Sequence, residues 1–215
     1  MAENEKQKLP FSIQEKDVAA WTGCWNANRK IMISGELNYE SLRKVSLELM
    51  KLDYINNEPI TLMIDSGGGN VVATHQLEDI ISMINSPVDG LIMGDSASMA
   101  IDLLQMCRYR RILPSARILV HYIRVDQRWV CDDLERLEID VEYFLSRQRE
   151  AGNRRLALYV KRTGYPEERI KELFRHGEVH RSYFSAQQAL ELKLVDEIAV
   201  GFKFFPPRSS SAEEK

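Results

Sequence analysis

The sequence predicts an α/β fold in which strands alternate with helices through right-handed crossovers. Three observations carry that prediction. Apolar runs of strand length recur, as in Ile60-Thr61-Leu62-Met63-Ile64 and Leu91-Ile92-Met93. Between them lie segments whose apolar residues repeat at helical spacing. Turn residues (the glycines at 67–69, Pro87 and Gly94) stand at the junctions. Regular alternation of this kind belongs to α/β architecture.

The elements follow in order. A polar start over residues 1–10 is expected to lack order, and a short helix is expected at 13–21. Strand 30–34 precedes helix 39–52, where Leu42, Val45, Leu49 and Met50 share a face. Strand 60–65 runs into Gly67-Gly68-Gly69, then helix 71–84 with Val72, Leu77, Ile80, Ile81 and Ile84 as its apolar set. Pro87 closes the connection to strand 88–93. A tight turn of small residues leads into a helix opening at Ser98. Arg108-Tyr109-Arg110-Arg111 reads as a solvated basic turn. Strand 118–121 ends at His121, and 122–129 keep a strand-like alternation with Ile123, Val125 and Trp129 on one side. The helix over 132–162, marked by Leu134, Leu137, Val141, Phe144, Leu145, Leu156 and Val160, would be about 45 Å long. One small domain cannot cover that length, so it reads as a handle against another subunit. Pro166 opens helix 167–174 and Ser185 starts helix 186–193.

The 215 residues divide into a divergent N-terminal segment (1–28), one domain (29–200) and a flexible tail (201–215). With 44% hydrophobic residues, 28% charged residues and net charge −3, the chain can bury a sizeable core and offers nucleic acid no basic face. No apolar run reaches membrane-spanning length and the N-terminus lacks a signal-peptide core. Cys24, Cys107 and Cys131 show no metal-binding spacing, and no cofactor motif is present. A reduced cytoplasmic setting is expected.

The chemistry concentrates at Gly94-Asp95-Ser96-Ala97-Ser98-Met99-Ala100. A helix N-terminus presents free N–H groups and partial positive charge, so a hydroxyl placed there sits beside an anion site, as acyl transfer needs. The alternative is a serine that caps a buried helix. A glycine turn whose N–H groups can form a nest and a histidine ending an apolar strand complete a nucleophile, oxyanion donors and a base.

These segments, in this order, resemble the ClpP-type serine peptidases, the proteolytic subunits of Clp proteases. Arg29-Lys30-Ile31-Met32-Ile33-Ser34 resembles the family's first core strand, the glycine turn its N-S-P-G-G, and the serine segment its G-Q-A-A-S-M-G. Leu113-Pro114-Ser115-Ala116-Arg117 through His121 resembles L-P-N-S-R…H, and 184–198 resembles its F-L-S-A…L-V-D end. The likeness spans about residues 29–200. It implies a ClpP/crotonase-like fold of repeated β-β-α units with a long handle helix. It implies Ser98 as nucleophile, His121 as base, and the N–H groups of Gly69 and Met99 as the oxyanion hole.

The third triad position departs. The family's Asp, four residues before the Ser of its S-A motif, corresponds to Arg181, which has no acceptor lone pair. Glu178 and Asp102 are the candidate replacements, and an Asp102–Arg181 ion pair is the plain structural alternative. The resemblance further implies stacked heptameric rings, a tetradecamer joined through the handle helix, and an AAA+ unfoldase that would supply ATP hydrolysis, the subunit itself holding no cofactor. The family's aromatic docking positions are Thr61 and Met63 here, and its glycine-rich substrate-binding strand is replaced by 122–129. The expected activity is hydrolysis of unfolded polypeptides inside a ring chamber. A non-catalytic ring subunit is the alternative, and a crotonase-type thioester enzyme a weaker one, since no adenine or phosphate site is evident.

Overall fold

The computed structural model describes residues 28–124, 133–180 and 182–201. The expected helix at 13–21, residues 125–132, Arg181, the segment 202–215, Cys24 and Cys131 lie outside them. Strands β1 (Lys30–Ser34), β2 (Ile60–Asp65), β3 (Val88–Ile92), β5 (Arg110–Ile112) and β8 (Glu197–Ile198) form a parallel sheet in the order β1-β2-β3-β5-β8. A smaller sheet holds β4 (Asp95–Ala97) parallel to β6 (Arg117–Leu119), with β7 (Phe184–Ser185) antiparallel to β6. The helices among the described residues are α1 (Tyr39–Ile55), α2 (Val71–Met83), α3 (Met99–Met106), α4 (Leu134–Thr163), α5 (Glu167–His180) and α6 (Ala186–Glu191). The α/β expectation holds.

Parallel strands covered on both faces read as unbroken apolar runs, and β3 is buried at every position. Leu62 and Ile64 of β2 enter the main core. Met63 faces the other side and packs with Leu91 and Ala199 under Met32, Met93 and Leu113. Helix α1 begins at a capping box: Asn38 Oδ1 accepts from the Glu40 and Ser41 N–H groups at 3.0 and 2.9 Å. Its inner stripe is Leu42, Val45, Leu49 and Leu52. Met50, expected with them, is exposed, because it sits about 100° around the helix from Leu49. Val72 is likewise exposed. Ala73, Thr74, Leu77 and Glu78 form the buried face of α2.

Several local readings are corrected. Residues 95–97, expected as turn, pair with β6 as strand β4. Arg110, expected in a solvated turn, is buried on β5. Its Nη2 lies 2.5 Å from Asp196 Oδ1 and its Nη1 donates to Gln105 Oε1 at 2.5 Å. The expected strand from 118 begins at Arg117 and ends before His121, and residues 122–124 belong to no strand.

Helix α4 has Asp133 as its N-cap, Gly164 in the left-handed region as its C-cap, and runs 30 residues. Its buried residues, Arg155, Tyr159 and Thr163, all lie in the C-terminal third. Leu134, Ile139, Tyr143 and Leu145 in the first half are each at least 46% exposed. Helix α5, expected to stop at 174, continues to His180 through Gly177. A Cβ at Gly177 would overlap the Val120 carbonyl oxygen, so the helix backbone lies directly on the end of the His121 strand.

Candidate active site

Two short strands bring the serine and histidine to one edge. In the β4–β6 register Ala97 faces Leu119, and the Ser98 N–H donates to the Leu119 carbonyl at 3.0 Å. The register therefore sets Ser98 beside Val120, with His121 the next residue along. Ser98 itself has φ 58° and ψ −129°, a backbone conformation that disfavours any residue with a side chain. It stands at the N-cap of α3, yet its side chain makes no capping hydrogen bond. The capping alternative is therefore not what Ser98 does. A strained serine between a strand and a helix, its hydroxyl without a hydrogen bond among the described residues, has the geometry of a nucleophile elbow.

The glycine turn closes on it. A Cβ at Gly68 would come within 2.7 Å of Ser98 Cβ and 3.0 Å of the Met99 N, so only glycine permits this approach. The turn is held in place: the Gly68 N–H donates to Ser66 Oγ at 3.1 Å, and the Ala97 N–H donates to the Ser66 carbonyl at 2.9 Å. Leu37 pairs beside Gly69 through its own N–H to Gly68 O and its carbonyl to Asn70 N–H. That pairing leaves the Gly69 N–H unused. Neither Gly69 N–H nor Met99 N–H, the first of α3, has an acceptor among the described residues. Two donors left without an acceptor beside the Ser98 hydroxyl are the arrangement an oxyanion hole requires.

His121 is buried, and its Nδ1 lies 2.5 Å from the Tyr122 carbonyl oxygen. A carbonyl only accepts, so Nδ1 carries the proton and Nε2 keeps its lone pair. Burial pushes the His121 pKa below the ordinary value, with Arg124 and Arg155 acting the same way and the Tyr122 carbonyl and Glu178 opposing. The imidazole is thus neutral near pH 7, the form a general base needs.

The two acid candidates separate. Asp102 is buried and committed: Arg155 Nε lies 2.6 Å from its Oδ2, and the Tyr159 hydroxyl donates to its Oδ1 at 2.7 Å. Its ion-pair partner among the described residues is Arg155 of α4. Arg155 Nη1 also donates to the His121 carbonyl, and its guanidinium stacks over Phe174 at 4.4 Å. One side chain therefore ties the helix of Ser98 to the strand end at His121. Sequence reasoning missed it; its only signal was an arginine one turn from Tyr159 on the inner face of an otherwise polar helix. Glu178, on α5, places Oε2 3.6 Å from His121 Nδ1 and accepts from Arg124 Nε at 3.2 Å. Arg181 lies outside the described residues.

Beside this brace, Glu78 is buried with Arg154 Nη2 at 3.4 Å. Burial, then the Asp102 charge, raises its pKa to about 7. A carboxyl whose folded pKa exceeds its unfolded value binds its proton more tightly when folded. Stability then falls as pH rises from about 4.5 to about 7. Ionising it costs roughly 3 kcal/mol. Glu78→Gln is expected to raise the melting temperature at pH 8 and leave it nearly unchanged at pH 4.5, as thermal denaturation at the two pH values would read.

Among the described residues no helix is long and apolar enough to cross a membrane. The sequence profile of Clp proteases matches residues 14–201. The "ATP-dependent Clp protease proteolytic subunit 1" of Protochlamydia amoebophila (strain UWE25) is 28% identical over 180 residues, covering 82% of each chain. With a parallel α/β core, a long handle helix and this profile match over most of its length, the chain belongs to the Clp protease family.

Proposed function

We propose that the protein is a serine endopeptidase. The observation that carries this reading is Ser98: strained, uncapped, and flanked by two unspent N–H donors. In the reaction, Ser98 Oγ attacks the scissile carbonyl while His121 Nε2 takes its proton. The Gly69 and Met99 N–H groups receive the oxyanion. His121 then passes the proton to the leaving amine, and water, deprotonated by the same nitrogen, hydrolyses the acyl-enzyme. A pocket of about 290 Å³ beside Tyr122 and Ile123, lined also by Leu156 and Phe174, is suited to a substrate side chain. The test is a fluorophosphonate probe with mass-spectrometric mapping. Covalent modification at Ser98 is expected; an intact enzyme that stays unmodified would point to the non-catalytic ring subunit, the reading that Arg181 at the family's Asp position favours.

The substrates we propose are unfolded polypeptides, degraded in the cytoplasm inside a chamber of two stacked heptameric rings. The exposed apolar turns at the start of α4 support ring stacking. Native mass spectrometry should give about 350 kDa for fourteen copies of the 24.9 kDa chain. A stable monomer at micromolar concentration would contradict the assembly. An AAA+ unfoldase is the proposed source of ATP hydrolysis, in keeping with a relative called ATP-dependent. Thr61 and Met63 stand where the docking aromatics are expected. Met63 is fully buried under Met32, Met93 and Leu113, so of the two positions Thr61 alone is partly open to such a partner.

A further inference from the structure

A triad acid performs two tasks. It holds the histidine tautomer, and it stabilises the imidazolium that forms during attack. We propose that this chain divides them: the Tyr122 carbonyl holds the tautomer, and the Glu178 carboxylate supplies the charge. The inference rests on the Ser98–His121 reading above and makes Glu178 a positioning residue acting through His121.

The geometry separates the two tasks by distance. The Tyr122 oxygen, 2.5 Å from Nδ1, accepts the N–H. Glu178 Oε2, 3.6 Å from the same nitrogen, is too far to share that bond but within the range where an opposite charge raises a histidine pKa. Both groups are fixed. The Tyr122 ring meets Phe174 edge-on at 5.8 Å and its hydroxyl donates to the Lys171 carbonyl at 3.1 Å. Glu178 follows Gly177, whose bare backbone rests on the Val120 carbonyl and so carries α5 up to the histidine. Asp102 answers Arg155 and Tyr159 and is not among the charges that act on His121.

Among the described residues, the charged groups facing His121 are Glu178, Arg124 and Arg155. Arg155, although paired with Asp102, also disfavours the imidazolium, less than Arg124 does. Arg124 is the antagonist: it repels the imidazolium and draws on the same Glu178 oxygen at 3.2 Å. Removing the carboxylate and removing Arg124 should therefore move His121 in opposite directions.

The test titrates His121 by NMR in the full-length assembled protein carrying ¹³C-labelled histidine, beside a pH profile on a fluorogenic peptide. Glu178→Gln is expected to lower the His121 midpoint and to lower kcat roughly tenfold, with KM little changed. The acid limb of the profile should move to lower pH with it. Arg124→Gln is expected to raise the midpoint, and Glu178→Asp to restore most of the lost rate. A midpoint that stays put in both Glu178→Gln and Arg124→Gln overturns the inference, whatever the turnover. A midpoint that moves as expected in a protein whose Ser98 never takes up the fluorophosphonate would uphold the charge role and overturn the peptidase reading instead.

Discussion

Ser98→Ala is expected to abolish peptide hydrolysis, lowering kcat by about four orders of magnitude or more, while the subunit folds and assembles unchanged. The size follows from the unity of nucleophile and base: losing either costs nearly as much as losing both, and only oxyanion stabilisation and binding remain. The fold should not suffer, because the hydroxyl caps nothing and alanine occupies the same strained backbone with one atom fewer. His121→Ala should fall to a similar floor. The measurement is kcat on a fluorogenic peptide with pure variants, beside native mass and melting temperature. Turnover retained in Ser98→Ala would remove Ser98 from the mechanism, since no other hydroxyl could inherit its position between β4 and α3.

The second large effect is on stability. Arg155→Met is expected to cost about 3–5 kcal/mol, because Asp102 is left buried without a countercharge. The melting temperature should drop roughly 10 °C. Replacing the whole group (Asp102→Leu, Arg155→Met and Tyr159→Phe together) is expected to recover most of that loss, since a packed apolar cluster removes the desolvation penalty of a buried pair. Activity should not recover with it. Arg155 also holds the His121 carbonyl, and no methionine can donate that bond. Stability restored with kcat still depressed separates the structural from the aligning role. Full recovery of both would show that the guanidinium only balances charge.

The parts of the molecule that the sequence discloses are those whose cause is local. Strand 60–65 was legible because a strand covered on both faces is a near-continuous apolar run, and strand 30–34, at the sheet edge, because Ile31 and Ile33 alternate with less buried neighbours. The junction that holds Ser98, the glycine turn beside it and the strand end at His121 were legible because strand-to-helix turns and close glycine approaches leave their mark within a few residues. What escaped depends on partners far along the chain. Arg110 looks like a surface cation among its neighbours; Asp196, 86 residues away, makes it a buried one. Asp102 invited a partner near the family's acid position, and the guanidinium it found is on the handle helix. β4 is too short, and its residues too small, to show periodicity. The closeness of Glu178 to His121 needs α5 to continue past 174, whereas Gly177 reads locally as a place for a helix to stop.

Gly177 has a consequence for anyone who would engineer this protein. Glycine inside a helix costs about 1 kcal/mol against alanine, so a stability screen working from helix propensity would nominate Gly177→Ala among its first choices. Here the missing methyl is the clearance through which one layer of the molecule touches another. Filling it would lift α5 off the Val120 carbonyl and carry Glu178 away from the imidazole. The local optimum and the working enzyme are different sequences at this position, and no amount of helix-level optimisation leads from one to the other.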